Sequence, residues 1–278
     1  MSLRKLDKLF RYIVLILLSV LCLFSFYILI VNSTRAHPDI QKGFSFTIGN
    51  FFKTNLNKVL ANKEVPVVKG IMNSLLVSSA AALLATYFSI LTAFSIHIYE
   101  FKYKKFVFTF IMMIMMIPAQ VSALGFLKLM SNMNLIDSLI PLFLPSIASP
   151  IVFYFMLSYM QSNLPKAVIE AARIDGASEF RTFNQIVLPI MKPAIAVQAI
   201  FTFVGTWNNY FIPSLLIRSA NKKTLPILIA QLRSADYLKF DMGQVYMLIF
   251  VAIIPIVIIY ILLSKYIVRG VAVGSVKE

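Results

Sequence analysis

Six stretches of the chain contain no Asp, Glu, Lys or Arg: residues 12–31, 71–98, 106–127, 139–160, 193–217 and 242–264. They are 20, 28, 22, 22, 25 and 23 residues long. A helix needs about 20 apolar residues to cross the hydrocarbon core of a bilayer. Only helices and closed barrels satisfy their backbone there, and these continuous runs lack the apolar–polar alternation of barrel strands. The fold expected is therefore all-α: a polytopic membrane protein with six transmembrane helices in a single transmembrane domain, 1–278.

Composition agrees. Of 278 residues, 59% are hydrophobic and 13% charged, against about a quarter charged in soluble domains. The first run is too long for a signal peptide, and no small-x-small cleavage site follows it. An even number of spans puts both termini on one side. The termini and the loops on their side hold 14 Lys and Arg, and the other side holds 12. The cluster Arg4, Lys5, Lys8 and Arg11 favours a cytoplasmic N-terminus. The net charge of +15 is scattered over loops on both faces with no single basic stripe. That argues against nucleic acid and for anionic headgroups of the lipid bilayer. The one cysteine, Cys22, lies in the first span and has no intrachain partner.

Several chemistries have no residues to carry them. There is no GxxxxGK[ST] phosphate loop, so the chain binds no nucleotide by that route. His37 and His97 have no second metal ligand spaced near them, and no GxSxG elbow is present. The chain is therefore read as no enzyme, with no cofactor or metal of its own. No acidic residue lies inside any run, whereas ion-coupled carriers commonly use ionisable groups near the midplane. An autonomous ion-coupled carrier and a membrane enzyme are the competing classes, and each lacks its expected signal.

Polar sequence is organised in one place. The loop 161–192 contains Glu170-Ala171-Ala172-Arg173-Ile174-Asp175-Gly176-Ala177 and, ten residues after Gly176, Ile186-Val187-Leu188-Pro189. Pro165 suits a first helical turn. Asp175-Gly176 is a helix stop with glycine free for the left-handed conformation. Ser178 is the N-cap of a second helix that runs to about Val187 and is ended by Leu188-Pro189. Ala171 and Ala172 permit close approach, and Glu170 offers a carboxylate to a basic partner.

The spacing EAA, three residues, Gly, nine residues, I-x-LP resembles the signature loop of permease subunits in ATP-binding-cassette (ABC) importers. Ile174-Asp175-Gly176-Ala177 looks like the carbohydrate version. Gly205-Thr206-Trp207-Asn208-Asn209-Tyr210-Phe211-Ile212-Pro213 resembles a fifth-span segment of carbohydrate permeases. The tail 265–278 is similar to that of the MalG type of maltose-type importers. One departure is Asn209, where the family often has an acidic residue.

The resemblance implies a type I ABC importer permease architecture in a bacterial plasma membrane, with both termini cytoplasmic. It implies a second homologous permease subunit, two ATPase subunits that carry ATP and Mg, and an extracellular binding protein that delivers a sugar. On the same basis Glu170, Ala171, Ala172, Asp175, Gly176 and Ala177 would dock the ATPase. Trp207, Asn208, Asn209 and Tyr210 would line the substrate path, and the tail would reach between the ATPase subunits.

Overall fold

The computed structural model describes residues 3–234 and 240–274, with side chains described for 8–234 and 240–264. Among the described residues every regular element is helical. The chain begins with α1 (Leu3–Ser33), α2 (His37–Gln41), α3 (Phe52–Ala61), α4 (Val67–Ile98), α5 (Lys104–Met115) and α6 (Ala119–Asn132). It continues with α7 (Ile140–Phe143), α8 (Pro150–Asn163), α9 (Lys166–Ile174), α10 (Glu179–Thr182) and α11 (Leu188–Ile190). It ends with α12 (Lys192–Trp207), α13 (Phe211–Leu216), α14 (Leu225–Arg233) and α15 (Met242–Gly274).

Among the described residues four segments are long and apolar enough to cross a membrane: Lys8–Ser33, Val67–Ile98, Ile140–Asn163 and Met242–Ser264. The count reaches six only if two bent pairs are each one span. These are Lys104–Met115 with Ala119–Asn132, bent by 97°, and Glu179–Ile190 with Lys192–Trp207, bent by 77°.

Within the third uncharged run, 106–127, the helix is broken. Pro118 has no N–H to donate and disfavours helix at Ile117, so α5 stops and Pro118 becomes the N-cap of α6, with φ −62° and ψ 132°. The fourth span is interrupted around its three prolines: α7, a 3-10 turn over Leu144–Ile147, then α8 with Pro150 in its first turn. The fifth run does not stay helical to 217. α12 has 16 residues, about 24 Å, and the chain breaks at Asn208 before restarting as α13. The last helix passes the expected end of its span at Ser264 and continues to Gly274. The part of the tail at 275–278 lies outside the described residues.

The chain divides into two compact units. The first holds Met1–Val68 and Leu228–Ile254. Its long loop is tied by a buried polar knot where α1 ends. Asn55, 1% exposed, donates to the carbonyls of Ser33 at 2.9 Å and Arg35 at 3.0 Å. The buried Arg35 guanidinium donates to Asn32 Oδ1 at 3.1 Å, to the Gly43 carbonyl at 3.0 Å and to the Asp39 carbonyl. Gly243 is glycine because the knot touches it: a Cβ there would lie 2.9 Å from the Asn55 amide and 3.0 Å from the Arg35 carbonyl oxygen. The apolar stretch after Gly43 folds back onto α1. The Phe44 ring sits 5.5 Å from Phe24, and Phe46 lies 6.3 Å from Tyr27, whose hydroxyl donates to the Phe46 carbonyl.

The second unit holds Lys69–Ile227 and Pro255–Glu278. Its core is α4 against α8, joined by residues of the polar loop. Ala85, Ile90, Ala93 and Phe94 of α4 meet Val152, Phe153, Met156, Leu157 and Met160 of α8. The small residues Ser78, Ala81, Ala82 and Ala85 are buried, as expected where helices pack closely in lipid. Elsewhere in this unit Asp137 takes a left-handed φ of 57°. Its carboxylate accepts from the Arg218 and Ser219 amides, each at 2.9 Å, and from the Ser219 hydroxyl. These hydrogen bonds, those from Ser219 first, hold the carboxyl well below the usual range.

The knot in the first unit generates a prediction. Asn55→Ala leaves two buried carbonyls unpaired, at a cost of about 1–3 kcal/mol. The thermal midpoint of the purified protein in neutral detergent should fall accordingly, and an unchanged midpoint would contradict the knot's role.

Candidate functional site

The polar loop is a helix–turn–helix, and its turn is built as the sequence demands. Pro165, one position earlier than a first-turn proline, is the N-cap of α9 with φ −63°. α9 ends at Asp175, and Gly176 follows with φ +75°. The Ala177 amide donates to the Ala172 carbonyl at 2.9 Å and the Gly176 amide to the Arg173 carbonyl at 3.0 Å. This pair of bonds is the Schellman motif, which requires the left-handed residue that glycine supplies without penalty. Ser178 then caps α10 by accepting from the Arg181 amide.

The second helix does not stop at Leu188-Pro189 as expected. It widens into a π-turn over Phe183–Val187 and continues as α11 to Ile190. Pro189 cannot donate to the carbonyl four residues back and would collide with it. The wider turn removes both conflicts. The real break comes at Met191, where the chain bends by 77° into α12. That bend sets the second helix at a steep angle to α12.

One face of this loop is inside the protein. Ile169, Val187 and Met191 are fully buried, and Phe183 is nearly so, all in the α4–α8 core. Phe183 meets Phe94 at 5.7 Å and Tyr87 at 5.7 Å. Each such residue contributes about 1.5–3 kcal/mol on burial. A polar clamp adds to this. Glu179 accepts from Arg173 Nε at 2.8 Å and from the Tyr99 hydroxyl, and the Arg173 guanidinium lies 5.4 Å from the Tyr99 ring centre. The Tyr99 and Arg173 hydrogen bonds lower the Glu179 pKa. The charged clamp therefore persists above the ordinary glutamate range and is lost only as pH falls through the lowered value. The ion pair is exposed and worth at most about 1 kcal/mol, so apolar burial dominates the anchoring.

The other face is bare. Glu170, Ala171, Asp175 and Gly176 are exposed and Ala177 is half-buried. Ala172, grouped with them by sequence, is 6% exposed, and its smallness serves the packing of the loop on itself. Sequence reasoning missed Ile174 and Phe180, 86% and 74% exposed. For Ile174 the signal was available, since it is apolar but five residues on from Ile169 and so off that face; Phe180 is spaced with Phe183 and Val187 as one helical face, so periodicity alone would have buried it. Between the two helices lies a notch of about 210 Å³ lined by Ala172, Asp175, Ala177, Arg181, Thr182, Gln185 and Ile186. The buried Thr182 hydroxyl there has no partner among the described residues.

The second candidate segment sits at the end of α12. Trp207 is buried and stacks on Phe203 at 5.5 Å, which makes it a packing residue in this conformation. Asn209 is half-buried, and its Oδ1 accepts from the Ile212 amide at 3.4 Å. Asn208 and Tyr210 are exposed at the break. The structure thus keeps the four neighbours in sequence but offers only two of them freely. Among the described residues no cluster of His, Cys, Asp and Glu could hold a metal.

Comparisons with known proteins agree with this geometry. A family model described as the inner membrane component of binding-protein-dependent transport systems matches residues 85–273. The arabinooligosaccharides transport system permease protein AraQ of Bacillus subtilis is 32% identical over 266 residues, covering 94% of this chain and 92% of AraQ. The trehalose/maltose transport system permease protein MalG of Thermococcus litoralis is 29% identical and covers 94% of each chain. In the crystal structure of a bacterial ABC transporter involved in the import of the acidic polysaccharide alginate, one chain superposes with a TM-score of 0.80 at 21% identity. The match covers 96% of this chain and 98% of that one, and shows a shared fold. The chain is a multi-pass transport permease and belongs to the family of binding-protein-dependent transport system inner membrane components.

Proposed function

We propose that the chain is the membrane-spanning permease subunit of an ATP-driven importer, and that it moves a sugar or oligosaccharide handed over by an external binding protein. The single observation that carries the coupling part is the two-faced loop: apolar on its inner side and sunk into the α4–α8 core, bare on its outer side around Ile174, Gly176 and Phe180. An exposed apolar pair flanking a rigid turn is costly in water and profitable at an interface. The occupant proposed is an ATPase subunit that carries the ATP and Mg. Its partner-facing contacts are Glu170, Ala171, Asp175, Gly176 and Ala177, together with Ile174 and Phe180, while Ala172 keeps the loop compact.

In this reading a second, homologous permease completes the membrane pathway, and two ATPase subunits lie on the side of the loop and both termini, the cytoplasm. Closure of the ATPases on ATP displaces the loop. Because the loop's inner face is core, the displacement reaches α4 and α8 directly. ATP supplies the difference in free energy between the two states of the bundle, as any ligand-driven shift requires. The sugar assignment is supported by the names of AraQ and MalG and by a path free of fixed charge: no acidic residue lies in any of the six uncharged runs. Asn208 and Tyr210, exposed at the break after α12, are the members of the path segment positioned to meet a neutral polyol. The tail beyond the membrane is assigned to the ATPase side.

Two predictions follow from the loop. Gly176→Pro imposes φ near −65° on a position at +75° and deletes the amide that bonds Arg173, so uptake of the transported sugar should drop at least tenfold with membrane insertion unchanged. Gly176→Ala meets no neighbour within 4 Å and should fall between, since it pays only about 1–2 kcal/mol for the left-handed backbone. Normal uptake by Gly176→Pro would remove the coupling role. Second, the wild-type protein should co-purify with an ATPase subunit, and the pair Ile174→Asp and Phe180→Asp should lose it. Retention by the double variant would overturn the proposed docking face.

A further inference from the structure

Beside the loop lies a second concavity that the coupling role does not use. It has a volume of about 710 Å³ and is bounded by the end of α4, the first turns of α5, the end of α8 and the start of α9. Two helices begin and two end at this cavity, so their dipoles oppose one another. Its electrostatics are set by side chains. Lys104, Lys105 and Lys166 line it against a single carboxylate, Glu100, with His97, Thr109 and Gln161 as further polar groups. Glu100 accepts from Lys104 at 2.9 Å and from Lys166 at 3.5 Å. Even with Glu100 ionised, the lining keeps a surplus of two positive charges. His97 is held by the Leu164 carbonyl at 3.0 Å.

The cavity is amphipathic as well as basic. Ile96, Phe108 and Leu157 form its apolar wall. Phe101, Tyr103 and Phe106 are exposed on the same turn and helix start, as aromatic residues are at the level of lipid headgroups. Phe106 stacks on Phe110 at 6.2 Å along the outer side of α5. Three lysines over an apolar wall, at the depth where apolar helices give way to charged loops, suit a ligand with a phosphate at one end and hydrocarbon at the other. A neutral sugar has neither.

We propose that this cavity binds the headgroup and upper acyl chain of an anionic phospholipid, with Lys104, Lys105 and Lys166 on the phosphate and Ile96, Phe108 and Leu157 against the chain. Basic pockets between transmembrane helices are suited to such headgroups. The proposal rests on the coupling reading only in placing the lipid in the leaflet that faces the ATPases. The site shares α9 with the coupling loop through Lys166, so an occupied cavity steadies the end of the loop nearer the bundle.

The test uses the full chain purified in neutral detergent. Three additions are compared: phosphatidylglycerol, phosphatidylcholine and inorganic phosphate. Lipid retention is read by native mass spectrometry and stabilisation by thermal midpoint. Phosphatidylglycerol should be retained and raise the midpoint, and phosphatidylcholine should do neither. Lys105→Gln combined with Lys166→Gln should cut retention at least tenfold. Lys128→Gln, on α6 and not part of the lining, should leave it unchanged. Equal retention of phosphatidylcholine, equal stabilisation by inorganic phosphate, or unchanged retention by the double lysine variant would each overturn the site. Gly176→Pro separates the two proposals, because it should lower uptake at least tenfold while leaving lipid retention intact. Retention with unimpaired uptake in that variant would remove the coupling reading and leave the lipid site standing.

Discussion

The interaction on which the rest depends is the burial of the loop's inner face. Ile169, Phe183, Val187 and Met191 are no more exposed than the centre of α8, although they belong to a segment outside the apolar runs or at its edge. A connection of this length that served only to link two spans would leave such residues in water or replace them with polar ones. Here the apolar side chains fix the loop to α4 and α8. The Schellman turn at Gly176 then fixes the angle at which the opposite face projects, and the bend at Met191 fixes how the second helix meets α12. In the proposed coupling, rigidity on one side is what lets the exposed residues on the other side transmit force.

The same principle explains which residues divide their labour. Glu179, Arg173 and Tyr99 form a clamp worth little on its own, because all three reach solvent. It closes over an apolar contact already made, and keeps α9 and α10 in register on either side of the turn. Ala172 is small because α10 lies close. Ile174 and Phe180 are bare because nothing among the described residues covers them. An arrangement with anchors inside and apolar side chains outside is directional: a load on the outer face is carried inward by packed side chains rather than absorbed by a flexible tether.

Much of this was legible in the sequence, for reasons that can be named. The uncharged runs gave the helical membrane fold because length and lack of charge suffice to specify a span. Gly176 and Ser178 gave the turn because their conformational requirements are local. What stayed hidden depended on neighbours distant in sequence. Pro118 lies in an uncharged run, and composition alone cannot say whether a proline there kinks a helix or ends it by 97°. Trp207 carried the same residue type a sugar site would use, yet its stacking partner Phe203 is one helical turn back and takes it into the core. The lipid cavity draws on four helix ends, so no single stretch announces it. The π-turn before Pro189 was within reach, since a proline so placed must either stop a helix or widen it.

The central claim is that the loop moves as part of the bundle. Its most direct test is the distance between spin labels at Ser162, near the end of α8, and Gln185, exposed on the second helix of the loop and outside the docking face. Cys22 would be replaced, and the complete transporter would be measured with and without ATP under conditions where it hydrolyses ATP. A lever fixed to the core predicts one narrow distance distribution, the same in both nucleotide states. A distribution that broadens or shifts when ATP binds would show the loop bending independently of α8, and would contradict the account.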